Sequence, residues 1–192
     1  MERKTFDAIL TSVGAVLTLF LLVAGVLGLW AYSFTNTNVH NQLAEQQIVF
    51  PSQAAFAAAK PGTEITPGML PYLQKYAGQP LTTGAQAEAY ADHFIAVHLQ
   101  EIGGGLTYAQ LSAKAMAQPK GSAAYTADEA VVQTVFQGTT LRGLLLEAYA
   151  FWKMGQIALW AAIACFVAAA VMLVLTILGF VHLRRVPAEA RI

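Results

Sequence analysis

The chain has 192 residues, 56% of them hydrophobic and only 11% charged, and its mean hydropathy is +0.51. Typical soluble domains carry about 25% charged residues, so this composition indicates a membrane protein. The formal net charge is +0, and the chain has no basic tract, which argues against nucleic-acid binding.

The first element in chain order is an apolar run from Ala8 to Ala31, which follows Arg3 and Lys4. A helix of about 20 apolar residues crosses a bilayer core about 30 Å thick, so the run predicts transmembrane helix 1 at residues 8–33. The apolar core of a cleaved signal peptide has only about 7–15 residues. The longer run therefore predicts an uncleaved signal-anchor.

Small or polar residues repeat along this run, and a similar set repeats near the C-terminus. The first set, here called the α1 stripe, is Thr11, Gly14, Thr18, Gly25 and Gly28. The second, the α7 stripe, is Ala158, Ala161, Cys165, Ala168 and Gly179. Helices associate in lipid where small residues let their backbones approach. The stripes predict either packing of the two spans on each other, or docking on another subunit or a second copy.

Residues 34–153, between the two apolar runs, predict an α-helical module. A polar exit linker, Asn36 to Asn41, and an irregular stretch, Phe50 to Pro71, come first. Helix-start signals then recur: Thr66 before Pro67, and capping boxes at Thr83–Gln86, Thr107–Gln110 and Thr126–Glu129. The predicted helices cover residues 67–77, 84–101, 107–118 and 126–136.

The last element is an uncharged run from Met154 to Val181, which precedes Arg184 and Arg185. It predicts transmembrane helix 2 at residues 154–182. An apolar face leads into this run without a proline: Leu141, Leu144, Leu145, Ala148 and Trp152. We therefore expect one helix over 140–183, whose outer part forms a stalk.

Basic residues at the span ends predict the orientation, because such residues stay in the cytoplasm. Residues 1–7 and 183–192 are then cytoplasmic, and the module is extracytoplasmic. Aromatic side chains prefer the membrane interface, and four of them mark its outer plane: Trp30, Tyr32, Tyr149 and Trp152. The expected location is the cytoplasmic (plasma) membrane, with two passes.

Residues that carry chemistry are few. His93 and His98 are five apart on a predicted helix, so they do not converge as a metal-binding pair would, and convergence with His40 stays open. Gly103-Gly104-Gly105 lacks the strand and the lysine of a nucleotide loop and predicts a helix C-cap. The spans contain no Asp, Glu, Lys or Arg, which argues against a pump or coupled transporter. We predict no catalytic residue, metal or cofactor.

Two stretches, Gln79 to Leu99 and Phe136 to Trp152, resemble an actinobacterial family of two-pass membrane proteins. The resemblance covers nearly the whole chain and carries no established activity. Some members bear the name of the A subunit of an aromatic ring-opening dioxygenase. Such enzymes are soluble and hold an iron, and this sequence has no recognisable iron site. The resemblance implies a module in the cell envelope.

The leading functional hypothesis is a non-catalytic accessory or scaffold subunit of a larger complex in the cytoplasmic membrane. A respiratory supercomplex is one candidate host, by analogy of architecture. Its partners would be membrane lipid and either another protein or a second copy. One alternative is an envelope-facing module that binds an apolar ligand, and another is a metal-dependent envelope enzyme that uses His93 and His98.

Overall fold

The computed structural model describes residues 3–185 and Pro187, so most of the predicted tail 183–192 lies outside the described residues. Two compact units make up this part of the chain. The two-helix unit contains the described residues up to Thr35 and those from Met154 onwards. The second unit, which we call the module, is Asn36–Lys153.

Helices account for the whole architecture of the described residues, which confirms the predicted all-α class. They are α1 (Arg3–Glu45), α2 (Gln53–Ala57), α3 (Leu70–Leu73), α4 (Gly84–Tyr90), α5 (Ala96–Ile102), α6 (Tyr108–Met116) and α7 (Ala123–Arg185). Turns of 3₁₀-helix at Pro67–Met69 and Gln74–Tyr76 flank α3, and a π-helical turn at Ala91–Ile95 joins α4 to α5. Within the described ranges there is no strand, only an isolated antiparallel bridge between Val49 and Pro80.

The two long helices contain apolar stretches that are long enough to cross a membrane. Their most apolar 18-residue windows have mean hydropathies of 2.4 in α1 and 2.8 in α7. Only 22% and 17% of these windows are buried within the protein. A core helix of a soluble protein would be mostly covered, whereas these helices expose their apolar side chains.

The predicted exit linker at Asn36 to Asn41 is wrong, because α1 continues through it to Glu45. Asparagine and threonine have modest helix propensities, and so the sequence favours a break. Val39 and Leu43 lie one helical turn apart and are both buried in the core of the module. Their burial stabilises the helical conformation against the local preference.

Two of the three predicted capping boxes are confirmed. Thr83 and Thr107 each accept a hydrogen bond from the backbone of the residue three positions on, and the glutamines Gln86 and Gln110 accept one in return. Thr66 is an extended N-cap with Pro67 at the first position, but its side chain caps nothing. The predicted glycine C-cap is also present, since Gly103 caps α5.

The third box is wrong, and so is the break between the predicted helices 126–136 and 140–183. Ser122 takes the capping role instead and accepts from the backbone of Tyr125, so that Thr126 lies inside α7. Gly138 does not end the helix. Leu99 of α5 packs directly on the backbone of α7 at Gly138, where a side chain would collide with it.

The core of the module is apolar and draws on most of its helices. Its fully buried large side chains are Phe50, Phe56, Met69, Leu73 and Leu81. Ala87 and Ala91 are also fully buried, which lets neighbouring elements approach the helix from Gly84 to Ile102 closely. From α7, Leu145 joins this core, with Trp152 at its margin. The module therefore has a core of its own.

Candidate functional site

Reciprocal contacts between threonine and glycine hold the two-helix unit together at one end. A Cβ atom built on Gly179 would lie 2.7 Å from Oγ1 of Thr11, and one built on Gly14 would lie 2.7 Å from Oγ1 of Thr176. Each helix thus places a threonine on a glycine of the other. Such closeness is possible only because glycine has no side chain.

The same close approach continues along the unit. A Cβ on Gly25 would lie 2.8 Å from the ring of Phe166, and one on Gly28 would lie 2.9 Å from Cβ of Ala162. At the far end, Gly155 lies against Thr35. Residue numbers rise on α1 as they fall on α7, so the helices are antiparallel. The glycines of the α1 stripe therefore face α7.

The remaining stripe residues show which face of α7 is used. Thr18 is buried, and its hydroxyl donates to the carbonyl of Gly14 at 2.8 Å. Ala158, Cys165 and Ala168 are half-buried, and Ala161 is exposed. The buried residues of α7 are instead spaced by seven: Gly155, Ala162, Ala169 and Thr176. Gly179 and the backbone of Ala158 thus contact α1, whereas Ala162 and Ala169 are buried one residue after the predicted Ala161 and Ala168.

The four predicted interface aromatics have different surroundings. Trp30 is 65% exposed and stacks on Phe34, with ring centroids 5.6 Å apart. Tyr32 is half-buried. Tyr149 stacks on Trp152 at 6.2 Å. The Trp152 side chain packs against Gly84 at the start of α4. Its indole is therefore in contact with the rest of the module, whereas the indole of Trp30 is mostly exposed.

The π-helical turn Ala91–Ile95 makes two side-chain contacts with other elements, one ion pair and one ring stack. Asp92 accepts a 2.7 Å hydrogen bond from Arg142 of α7, and each side chain is little more than one third exposed. The imidazole of His93 stacks on Tyr72, with centroids 3.5 Å apart and planes 7° from parallel. A π turn widens the helix by one residue and is frequent at functional sites. Here the turn places Asp92 against Arg142 and the next residue, His93, against Tyr72.

His98 lies one turn further along and hydrogen-bonds to the backbone of its own helix. Its Nδ1 is 2.7 Å from the carbonyl oxygen of Phe94. Since a carbonyl oxygen only accepts, Nδ1 carries a proton and donates it to this bond. Nε2 is buried without a hydrogen-bond partner. This arrangement orients the ring, but the structure shows no group on which Nε2 acts.

The histidines do not assemble a metal site. His40 is exposed on α1, His93 is stacked on Tyr72, and His98 is bonded to its own helix. Among residues 3–185 and Pro187, no group of three His, Cys, Asp or Glu side chains is placed to hold a metal ion. The hypothesis of a metal-dependent enzyme that uses these histidines therefore gains no geometric support.

Three tyrosines of the module have a raised pKa, Tyr90, Tyr125 and Tyr149, and burial is the largest cause for the first and the last. Burial raises the pKa of Tyr90 above its ordinary value of 10.0, and the charge of Glu64 adds to the rise. Desolvation also raises the pKa of Tyr149, with the charge and hydrogen bond of Glu88 as further causes. The phenols of Tyr90 and Tyr149 therefore stay neutral to higher pH, which suits structural roles better than proton transfer at neutral pH.

Sequence reasoning missed an exposed apolar patch on the module. Tyr108 of α6 and Phe136 of α7 contact each other, with ring centroids 5.5 Å apart. We define the module patch as these two rings with two exposed apolar side chains that precede α6 in the chain, Ile102 at the end of α5 and Leu106 in the α5–α6 connection. These four positions follow no helical or strand periodicity in the sequence, so they can be identified only from their exposure in the structure.

No family model, curated protein or solved structure is similar to this chain.

Proposed function

We propose that the chain is an integral membrane protein in which α1 and α7 cross the bilayer. The support is the pairing of two long apolar helices through glycine and threonine while their larger side chains point outward. Helices in lipid gain little from burying apolar surface on each other, so close backbone contact is the interaction that holds them. In water, the exposed faces would be an aggregation liability.

The proposed orientation places both termini in the cytoplasm and the module outside. Its support is the charge asymmetry: Arg3 and Lys4 lie at one end of the two-helix unit, together with Arg184 and Arg185. The positive-inside rule retains these residues in the cytoplasm. The outer part of α7, within residues 123–153, would then act as the stalk of the module.

For its role, we propose a non-catalytic accessory or scaffold subunit that docks on a larger membrane complex. The observation that carries this proposal is the module patch, in which two aromatic and two aliphatic side chains remain exposed. Aromatic residues are enriched in the centres of protein interfaces. Because the glycines of the α1 stripe face α7, we place the partner surface on the module and not on that stripe.

The test is recovery of the native partner from membranes in mild detergent. Ile102→Gln combined with Leu106→Gln removes apolar surface without touching the core, and should release co-purifying proteins. Val49→Gln is a matched control, because Val49 is 56% exposed and outside the patch. Equal recovery with the double variant and the control would show that the patch does not bind a partner.

A further inference from the structure

The chain has three tryptophans, and two of them lie on the surface of the two-helix unit. Trp30 of α1 is 65% exposed, and Trp160 of α7 is 70% exposed. The third, Trp152, packs against Gly84 and lies at the margin of the module core. An indole joins a large apolar ring to one N–H donor, so it prefers a place that is apolar on one side and wet on the other.

Contacts between α1 and α7 show that the two exposed indoles start from the same level. Gly28 lies against Ala162, and Thr35 lies against Gly155, so seven residues of α1 run beside seven residues of α7. Each exposed tryptophan comes two residues after the first of these contacts, in the direction of the second. Equal steps along two antiparallel helices reach equal heights. The two tryptophans therefore mark one plane across the unit.

Basic residues mark a second plane at the other end of the unit. Asp7 of α1 lies 3.6 Å from His182 of α7, and the exposed Lys4 and Arg184 lie close by in the chain. Lys4 is 26 residues from the tryptophan of α1, about 39 Å along the helix, and Arg184 is 24 residues from that of α7, about 36 Å. A bilayer measures about 30 Å across its hydrocarbon and about 40–45 Å with its headgroups. Both helices thus give a spacing that places indoles and cations in opposite interfacial layers.

The aromatic pair of Tyr149 and Trp152 does not fit this thickness. Trp152 is 32 residues from Arg184, about 48 Å along α7, which exceeds the whole bilayer. A membrane surface at this pair would also leave the exposed Lys153 on the membrane side of Trp152, where a charge is costly.

We propose that the outer lipid headgroup layer binds this protein at Trp30 and Trp160. Each ring lies on acyl chains, and its N–H donates to a carbonyl or phosphate oxygen of a phospholipid. The membrane surface then lies eight residues of α7, about 12 Å, on the C-terminal side of the one expected at Trp152. The inference rests on the proposed membrane insertion.

The test is the quenching of tryptophan fluorescence by lipid. Full-length protein is reconstituted into phosphatidylcholine vesicles whose acyl chains carry bromine either near the carbonyl or near the methyl end. Bromine quenches only at short range, so wild type should lose more fluorescence to the shallow bromine than to the deep one. Trp30→Phe and Trp160→Phe should each remove about half of the shallow quenching, because both indoles lie in the interfacial layer. The double variant should lose nearly all of it, and all of these variants keep Trp152 and so leave the module core intact.

A pair of cysteine variants gives a second measurement. In a Cys165→Ala background, Ile157→Cys and Val167→Cys replace side chains that the protein leaves equally open, 62% and 61% exposed. Ile157 lies three residues outside Trp160, and Val167 lies seven residues inside it. A membrane-impermeant thiol reagent should therefore modify Ile157→Cys and leave Val167→Cys unmodified. With the membrane surface at Trp152, both thiols would lie in the apolar layer and neither would react.

Three results would overturn the inference: shallow quenching that persists in the double variant, stronger quenching of wild type by the deep bromine, or an unreactive Ile157→Cys. A chain that alkaline carbonate extracts from membranes would contradict the proposed insertion and this inference together. A chain that resists extraction but gives one of the three results contradicts only the position of the membrane surface.

Discussion

Gly28 shows how a single residue sets the distance between α1 and α7. A Cβ atom there would lie 2.9 Å from Cβ of Ala162 and 3.1 Å from the carbonyl oxygen of Ala158. The second of these atoms belongs to the backbone and cannot rotate away. The contact therefore tolerates no side chain unless the helices separate.

We expect Gly28→Leu to destabilise the two-helix unit by about 1–3 kcal/mol, the usual cost of overpacking. Gly143→Leu is the control, since a Cβ on Gly143 of α7 meets no atom within 4 Å. The thermal unfolding midpoint in detergent should fall for Gly28→Leu and stay level or rise for Gly143→Leu. Equal midpoints for the two variants would contradict the observed pairing.

Because of Tyr90, we expect the stability of the module to change with pH in the alkaline range. Burial, and then the charge of Glu64, raise its pKa in the folded chain above the ordinary 10.0. The folded state therefore holds the phenolic proton more tightly than the unfolded state does. This stabilisation is complete below the unfolded pKa and is lost as pH rises through the folded pKa.

The check is a series of unfolding curves at increasing pH for wild type and Tyr90→Phe. Wild type should lose stability above its unfolded pKa, and the variant, which has no phenolic proton there, should lose less. The Phe50 and Phe94 rings that contact Tyr90 remain available to phenylalanine. Identical pH profiles for the two proteins would show that Tyr90 is not responsible.

At the scale of elements, the capped starts of α4 and α6 allow a direct comparison. The α4 box is partly buried, and Gln86 is only 6% exposed, with its Oε1 accepting from the backbone of Thr82 and Thr83. The α6 box has the same pattern, but it is exposed. The same capping hydrogen bonds are therefore partly buried at the start of α4 and exposed at the start of α6.

We predict that Thr83→Ala costs about 1–2 kcal/mol of unfolding free energy and Thr107→Ala about 0.5–1 kcal/mol. The difference arises because water can replace the lost acceptor only at the exposed box. Chemical denaturation followed by circular dichroism would measure both. A larger loss for Thr107→Ala would mean that burial does not strengthen the cap.

The elements also show what the sequence predicts well and where it fails. The boxes at Thr83 and Thr107 were predictable because their residues are adjacent in the chain and act locally. The extension of α1 through Asn36 to Asn41 and the passage of α7 through Gly138 depend on tertiary contacts, with the module core and with Leu99. No local pattern encodes those contacts.

In the two-helix unit, the glycines of the α1 stripe and Gly179 of the α7 stripe lie at the helix contact, but Ala162 and Ala169 are buried in place of the predicted Ala161 and Ala168. Alanines are so frequent along α7 that several neighbouring faces of the helix carry small side chains. Which of these faces packs on α1, and so buries Ala162 and not Ala161, depends on the partner helix. The module patch depends on which side chains the fold leaves exposed. The sequence does not contain this information directly.

At the scale of the whole molecule, the proposed topology predicts a labelling pattern. In a Cys165→Ala background, Gln118→Cys in the module should react with a membrane-impermeant thiol reagent in intact cells. Ala188→Cys, in the C-terminal tail, should react only after the membrane is permeabilised. The reverse pattern would contradict the proposed orientation.

The contact between Thr35 and Gly155 has a consequence for the unfolded module. It closes a loop that contains all of Asn36–Lys153, a segment without any cysteine, because the only cysteine of the chain is Cys165. Joining the ends of a loop of this size removes chain entropy from the unfolded state, worth about 4–5 kcal/mol for a covalent link. As long as α1 and α7 stay paired, they act on the module as a disulfide acts on a small secreted domain.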